Sequence, residues 1–260
     1  MAIRRSLELL QRAASAADEL RPAAAIPVPS SAAVTNDGVL FLLATWLSPA
    51  FPVGGFSYSH GLETAIADRR LRATATVEDW IEAVLTSGSG WNDAVLLAEA
   101  HRAAELADWD RLMAVAQLGS VMSPSAERHL EASSLGAAFL KAVAAGWPAA
   151  RLATAIDAMA GMVTYPVAVG TAAGAHGLPL RPTLALFLNG FVANLVSVAV
   201  RLVPLGQTAG LKILAGLQPR MLDMAGRSAT STLDDLGSAA MLSDIASMRH
   251  ETLYSRVFRS

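Results

Sequence analysis

Apolar side chains along this chain recur at intervals of three and four, and alternating patterns hardly occur, so helices are expected almost throughout. Val39 to Leu47 reads as a short apolar helix that ends before Pro49, because the residue preceding a proline resists the αR conformation. Thr76 and Asp79 fit a capping box for a helix through Val84, closed by the Ser-Gly-Ser-Gly stretch at 87–90. Trp91 to Ala107 and Trp109 to Met122 read as the next two helices. Ser123 followed by Pro124 is expected to cap a long helix that reaches Gly146, and Trp147-Pro148 opens another. After Gly161, the unit YPVAVGTAAGAHG sets Gly170 and Gly174 four apart on one helix face, where backbones can approach closely. A long helix from Pro182 to Val203 is broken at Pro204. A further helix follows PLGQTAGLKIL, then a loop around GRSATSTLDDLG whose Asp234 and Asp235 read as capping residues, and a last helix from Ser238 to Tyr254. The sum is an all-α, single-domain bundle of about ten helices with short connectors.

Two segments depart from that pattern. At the N-terminus, short apolar clusters are broken by Glu8, Arg12, Asp18 and Glu19, which argues against a secretory or transit segment. The Ala/Pro/Ser stretch from Pro22 to Ala33 reads as a linker, so residues 1–38 are expected to be a flexible extension and 39–260 an all-α domain with a C-terminal interaction tail. The second is SPAFPVGGFSYSHGLE, Ser48 to Glu63, which concentrates prolines, glycines and aromatics. It reads as a rigid turn in which Pro52 limits φ while Gly54 and Gly55 permit positive φ, leading into a helix that begins near Phe56 or Ser57. Gly55→Val is accordingly expected to do more damage than Ser59→Ala.

Composition removes several kinds of chemistry. The chain has 260 residues, is 53% hydrophobic and carries a net charge of −2, which supplies a core but no broad field for nucleic acid or anionic lipid. It contains no cysteine, so disulfides, thiolate metal sites and cysteine nucleophiles are excluded. There is no P-loop and no G-x-S-x-G elbow. Leu184 to Val200 mimics a membrane span but carries Asn189 and Asn194 and ends at Arg201, so a buried core helix is expected, in a soluble, cytoplasmic protein. The five histidines, His60, His101, His129, His176 and His250, are scattered, and His60 with Glu63 three residues later makes two ligands rather than a closed site. No resident metal or cofactor is therefore expected. The ending MRHETLYSRVFRS clusters Arg249, His250, Arg256 and Arg259 with Tyr254 and Phe258, a composition favoured at interface hot spots.

Three separated motifs carry a family resemblance: LSPAFPVGGFSYSHGLE, PLGQ at 204–207 and DIASMRHETLYSRVFRS. SAERHLEASSLGAAFL and YPVAVG add to it. Together they resemble the urease accessory protein family UreF from about Leu40 to Ser260. The resemblance implies an all-α, usually dimeric, non-enzymatic scaffold. It joins UreD (also called UreH) and the GTPase UreG to deliver nickel into apo-urease, and it modulates GTP hydrolysis by UreG. It also implies partner-binding roles for Phe51, Phe56, Tyr58, His60, Tyr254, Arg256, Phe258 and Arg259, with Pro52, Gly54 and Gly55 shaping the backbone. The competing reading is a metal-dependent or hydrolytic enzyme built on His60, Glu63 and His176.

Further expectations follow from the two readings together. The tail from Tyr254 to Ser260 should be loose in the free chain and ordered by UreD. A homodimer should have a helical interface, with Gly170 and Gly174 at or near it. A tight nickel site should be lacking, with a His176 pair across the dimer as a weak, transient one.

Overall fold

The structure is a computed structural model, and it describes residues 36–55 and 58–260. Those residues contain eleven α-helices and no strand. In chain order they are α1 (Asn36–Trp46), α2 (Leu62–Ala67), α3 (Thr74–Ser87), α4 (Ser89–Leu106), α5 (Trp109–Val121), α6 (Ala126–Gly146), α7 (Ala150–Ala158), α8 (Tyr165–Ala175), α9 (Leu180–Leu202), α10 (Gln207–Ser228) and α11 (Met241–His250). A 3-10 turn occupies Leu233–Asp235. The expected all-α bundle is what forms.

Helix α8 is the axis of the bundle. Every residue from Pro166 to Gly174 is buried, and the helix packs against α4, α5, α6, α7 and α9. Its closest neighbour is α4, and the two glycines set that distance. A Cβ at Gly170 would lie 2.2 Å from the Leu97 carbonyl oxygen, and one at Gly174 would lie 2.3 Å from that of His101. Gly136 plays the same part on α6, where a Cβ would meet the Thr164 backbone at 2.7 Å. Gly170 and Gly174 therefore serve packing inside the chain, and their expected place at a dimer interface is corrected: both are buried against α4.

Helix α9 is long and apolar enough to cross a membrane, but half of its apolar stretch is buried inside the bundle. Thr183, Leu184, Phe187, Leu188, Val192, Leu195, Val196, Val198 and Ala199 all face the core. An aromatic cluster of Trp46, Phe51, Phe139, Trp147, Tyr165 and Phe187 joins α1, the following turn, α6, α8 and α9, with ring centroids 5.4–6.4 Å apart and mostly in tilted or edge-to-face pairs.

Several helix starts differ from the expected ones. Helix α3 begins at Thr74, because Thr76 acts from the third helical position, its hydroxyl accepting from the Ala73 N–H at 3.3 Å. Gly88 alone separates α3 from α4. The cap of α6 is Ser125, whose hydroxyl accepts from the Arg128 N–H, and Ser123-Pro124 lies in the preceding connection. The helix expected near Phe56 begins at Leu62, after Gly61 at φ 76°; Phe56 and Ser57 themselves lie outside the described residues, as does the extension up to residue 35. Asp235 caps its turn as expected, accepting from the Thr232 N–H at 2.8 Å.

Candidate functional site

The motif at Ser48 to Glu63 and the C-terminal motif, far apart in sequence, meet in one buried polar cluster. Glu63 stands at its centre on the first turn of α2 and is 6% exposed. One carboxylate oxygen accepts the Val257 N–H at 2.7 Å and the other accepts the Phe258 N–H at 2.9 Å. His250, at the end of α11 and fully buried, lies between two carboxylates, with Nε2 3.1 Å from Glu63 and Nδ1 2.6 Å from Glu127 of α6. Glu127 also pairs with Arg256 at 2.5 Å. Two acidic residues on different helices thus hold the tail, and a histidine ties them together.

The second half of the cluster surrounds Glu131, one turn further along α6 and 4% exposed. It pairs with Arg128, lies 2.9 Å from His60 Nε2 and accepts the Ser260 hydroxyl at 2.7 Å. Burial alone would raise this carboxyl, but the charge of Arg128, the His60 ring and the Ser260 hydroxyl outweigh it and hold the group down at about 2. His60 is pushed the other way: burial and the nearby Arg128 lower it, more than Glu131 raises it. The ring is therefore neutral at pH 7 and donates Nε2–H to Glu131, which leaves Nδ1 as an acceptor without a partner. His60 takes a left-handed conformation at φ 53° and stacks edge-on against Phe191. Ser59 closes the cluster, its N–H donating to the Ser260 main-chain oxygen at 2.5 Å and its hydroxyl to the same oxygen.

These contacts correct several expectations. The tail is docked in the free chain: Phe258 is 5% exposed, under the Arg201 guanidinium 5.2 Å from its ring centre, and Ser260 is fully buried. Of the residues assigned to partner binding, Phe51, Tyr58, His60 and Phe258 are buried and serve the core or the cluster, and only Tyr254, Arg256 and Arg259 are exposed. Phe56 lies outside the described residues. Gly54 has the expected positive φ of 80°, whereas Gly55 does not and has open room around it; Pro52 is exposed. Ser59 is fully buried, so the expected order of damage is reversed. Ser59→Ala should cost about 1–2 kcal/mol, because the Ser260 oxygen loses a buried donor, while Gly55→Val should stay within about 1 kcal/mol. Thermal unfolding of both variants checks this.

His60 and Glu63 are recruited by different partners, Glu131 and His250. His176 sits apart from them, with ring nitrogens 2.8 Å from the Ala172 oxygen and 3.0 Å from the Trp147 oxygen, edge-on to Trp46. The three residues of the enzyme reading do not converge, and the His176 ring is engaged within its own chain rather than free to pair across a dimer. Among the described residues no three His, Asp or Glu side chains are grouped so as to hold a metal ion. Sequence reasoning missed Glu127, Arg128 and Glu131 altogether. Their spacing on α6 was the available signal: Glu127 and Arg128 lie one turn before Glu131, on the helix face that also carries the buried Leu135.

Outside the cluster, Met241, Leu242, Ile245 and Met248 of α11 are exposed, as are Tyr254 and Val257 of the tail segment. Buried polar groups thus hold the C-terminal segment, while apolar and arginine side chains of α11 and the tail point outward. The family model UreF matches residues 71–218. A urease accessory protein UreF of Rhodopseudomonas palustris (strain BisA53) is 47% identical over 89% of this chain and 98% of its own length. Another, of Xanthobacter autotrophicus, is 50% identical over 85% of this chain and 91% of its own. The chain belongs to the UreF family.

Proposed function

We propose that this chain is a non-enzymatic scaffold of urease maturation in the cytoplasm. In this reading it joins UreD (UreH) and the GTPase UreG, modulates GTP hydrolysis by UreG, and assists delivery of nickel into apo-urease as cargo rather than as its own cofactor. The observation that carries the reading is the docked tail. Glu63 fixes its backbone at Val257 and Phe258, Glu127 pairs with the Arg256 side chain, and Tyr254 and Arg259 project outward. Aromatic and arginine side chains on a pre-ordered backbone lose little entropy on binding, which is what an interface anchor needs. UreD is the partner we assign to that surface. The family names of the relatives support the urease connection.

A homodimer belongs to the same reading, with its interface formed by exposed apolar helix faces rather than by Gly170 and Gly174. Sedimentation at micromolar protein should show a dimer, and a strictly monomeric profile would refute it. The functional test is reconstitution. Apo-urease incubated with nickel, GTP, UreD and UreG should gain activity only when this chain is added. Equal activation without the chain would end the proposal.

A further inference from the structure

Beside the buried cluster lies a cavity of about 400 Å³, a size suited to a small ligand. Phe187, Phe191 and Tyr165 contribute to a largely apolar wall, and Asp93, His60 and Thr164 line it as well. What sets this cavity apart is the chemistry of the groups left over. The Asp93 carboxyl has no hydrogen-bond or ion-pair partner among the described residues. Burial pushes it up to about 7, and Arg128 and Glu131 shift it less. His60 Nδ1 and the Thr164 hydroxyl are unpartnered as well, but both atoms are closed off from the open space, so Asp93 is the group that faces it. The one guanidinium on the wall, Arg128, is already paired with Glu131. Three carboxyls on the wall (Asp93, Glu131 and, further along, Asp244) thus face a single fixed cation.

We propose that this cavity binds a small organic cation, an alkylammonium or guanidinium group, with Asp93 as its counter-ion and the aromatic wall of Tyr165, Phe187 and Phe191 around its apolar part. An unpaired carboxyl in an apolar cavity costs stability, and such costs persist at sites that bind something. A metal ion fits less well: the described residues contain no three-ligand grouping, and aromatic walls suit an organic cation better. The group arrives either as a free amine or as a lysine or arginine side chain of a protein partner.

The probe is n-butylammonium, with n-butanol as the neutral control of similar shape, titrated calorimetrically into the full chain. Saturable binding of the ammonium and not of the alcohol is expected. It should strengthen as pH rises from 6 to 8, since the cation binds the ionised carboxyl. Asp93→Asn should weaken it roughly tenfold or more, and Asp93→Glu should restore part of it. Asp93→Asn removes no bond seen in the structure, so it should remain folded, and its melting temperature should rise relative to the parent at pH 8 but not at pH 4. Equal binding of butanol, or unchanged ammonium binding in Asp93→Asn, overturns the proposal. A second arm separates the sources and rests on the scaffold reading above. If saturating n-butylammonium weakens capture of UreD, the natural occupant is a partner's side chain, and if capture is unchanged it is a free amine. Failure of the first arm leaves the scaffold reading intact.

Discussion

Deleting Tyr254 to Ser260 should destabilise the isolated chain by about 3–5 kcal/mol, although the segment contains no helix. The loss has three sources. Glu63 gives up the two backbone N–H groups of Val257 and Phe258 and stays buried with only His250. Glu131 loses the Ser260 hydroxyl, and Ser59 loses its acceptor. Phe258 leaves the place where it is 5% exposed, which alone is worth about 2–3 kcal/mol. Stranding a buried carboxylate accounts for the remainder. In a chain of this length the melting temperature should fall by roughly 10 °C, while the circular dichroism spectrum at room temperature stays helical. A melting temperature within about 2 °C of the parent would show that the tail is loosely held.

The second large effect is expected at the α4–α8 contact. Gly170→Ala places a methyl group 2.2 Å from the Leu97 carbonyl oxygen, and that neighbour is backbone, so it cannot rotate away. The helices must separate, which undoes packing along the whole contact. The cost should reach about 3 kcal/mol or more, the upper end for overpacking, with a fall in melting temperature of roughly 6–12 °C. Gly146→Ala is the internal control. It lies at the end of α6 with nothing within 4 Å of a Cβ, so it should be neutral or stabilising by up to about 1 kcal/mol. Equal melting temperatures for Gly170→Ala and Gly146→Ala would remove the close-packing account.

Acid should weaken the fold through the same cluster. Glu131 is held down at about 2 in the folded chain, so its contribution is present above the ordinary carboxylate range and is lost as pH falls toward 2. His60 is held below its ordinary value, so the unfolded chain takes up its proton first as pH drops through about 6.5. Both act in one direction and Asp93 in the other, since its raised carboxyl is protonated first in the folded chain; in the Asp93→Asn variant, stability measured by denaturant should therefore decline steadily from pH 7 to pH 3.

The helices were legible in the sequence because a 3.6-residue apolar period leaves a strong signal, and the Gly170/Gly174 pair announced a close contact because only small residues permit one. The starts were less legible. Ser123-Pro124 has the composition of a helix cap, yet Ser125 supplies the bond, since tertiary contacts decide which of two serines faces the N–H. The site was legible only as two separate motifs. Nothing local joins Glu63 to Val257, or Glu131 to Ser260, and a buried carboxylate is chosen by partners on other helices. An Arg/aromatic tail reads as solvated when its acceptors lie more than a hundred residues away.

The most direct test of the scaffold account is capture of UreD by the chain carrying Tyr254→Ala together with Arg259→Ala. Both side chains are exposed and neither makes a contact in the cluster, so the melting temperature should match that of the parent within about 1 °C. The account predicts that capture falls at least tenfold at that unchanged stability, as for loss of interface anchors. Undiminished capture by this stable, folded variant would contradict it.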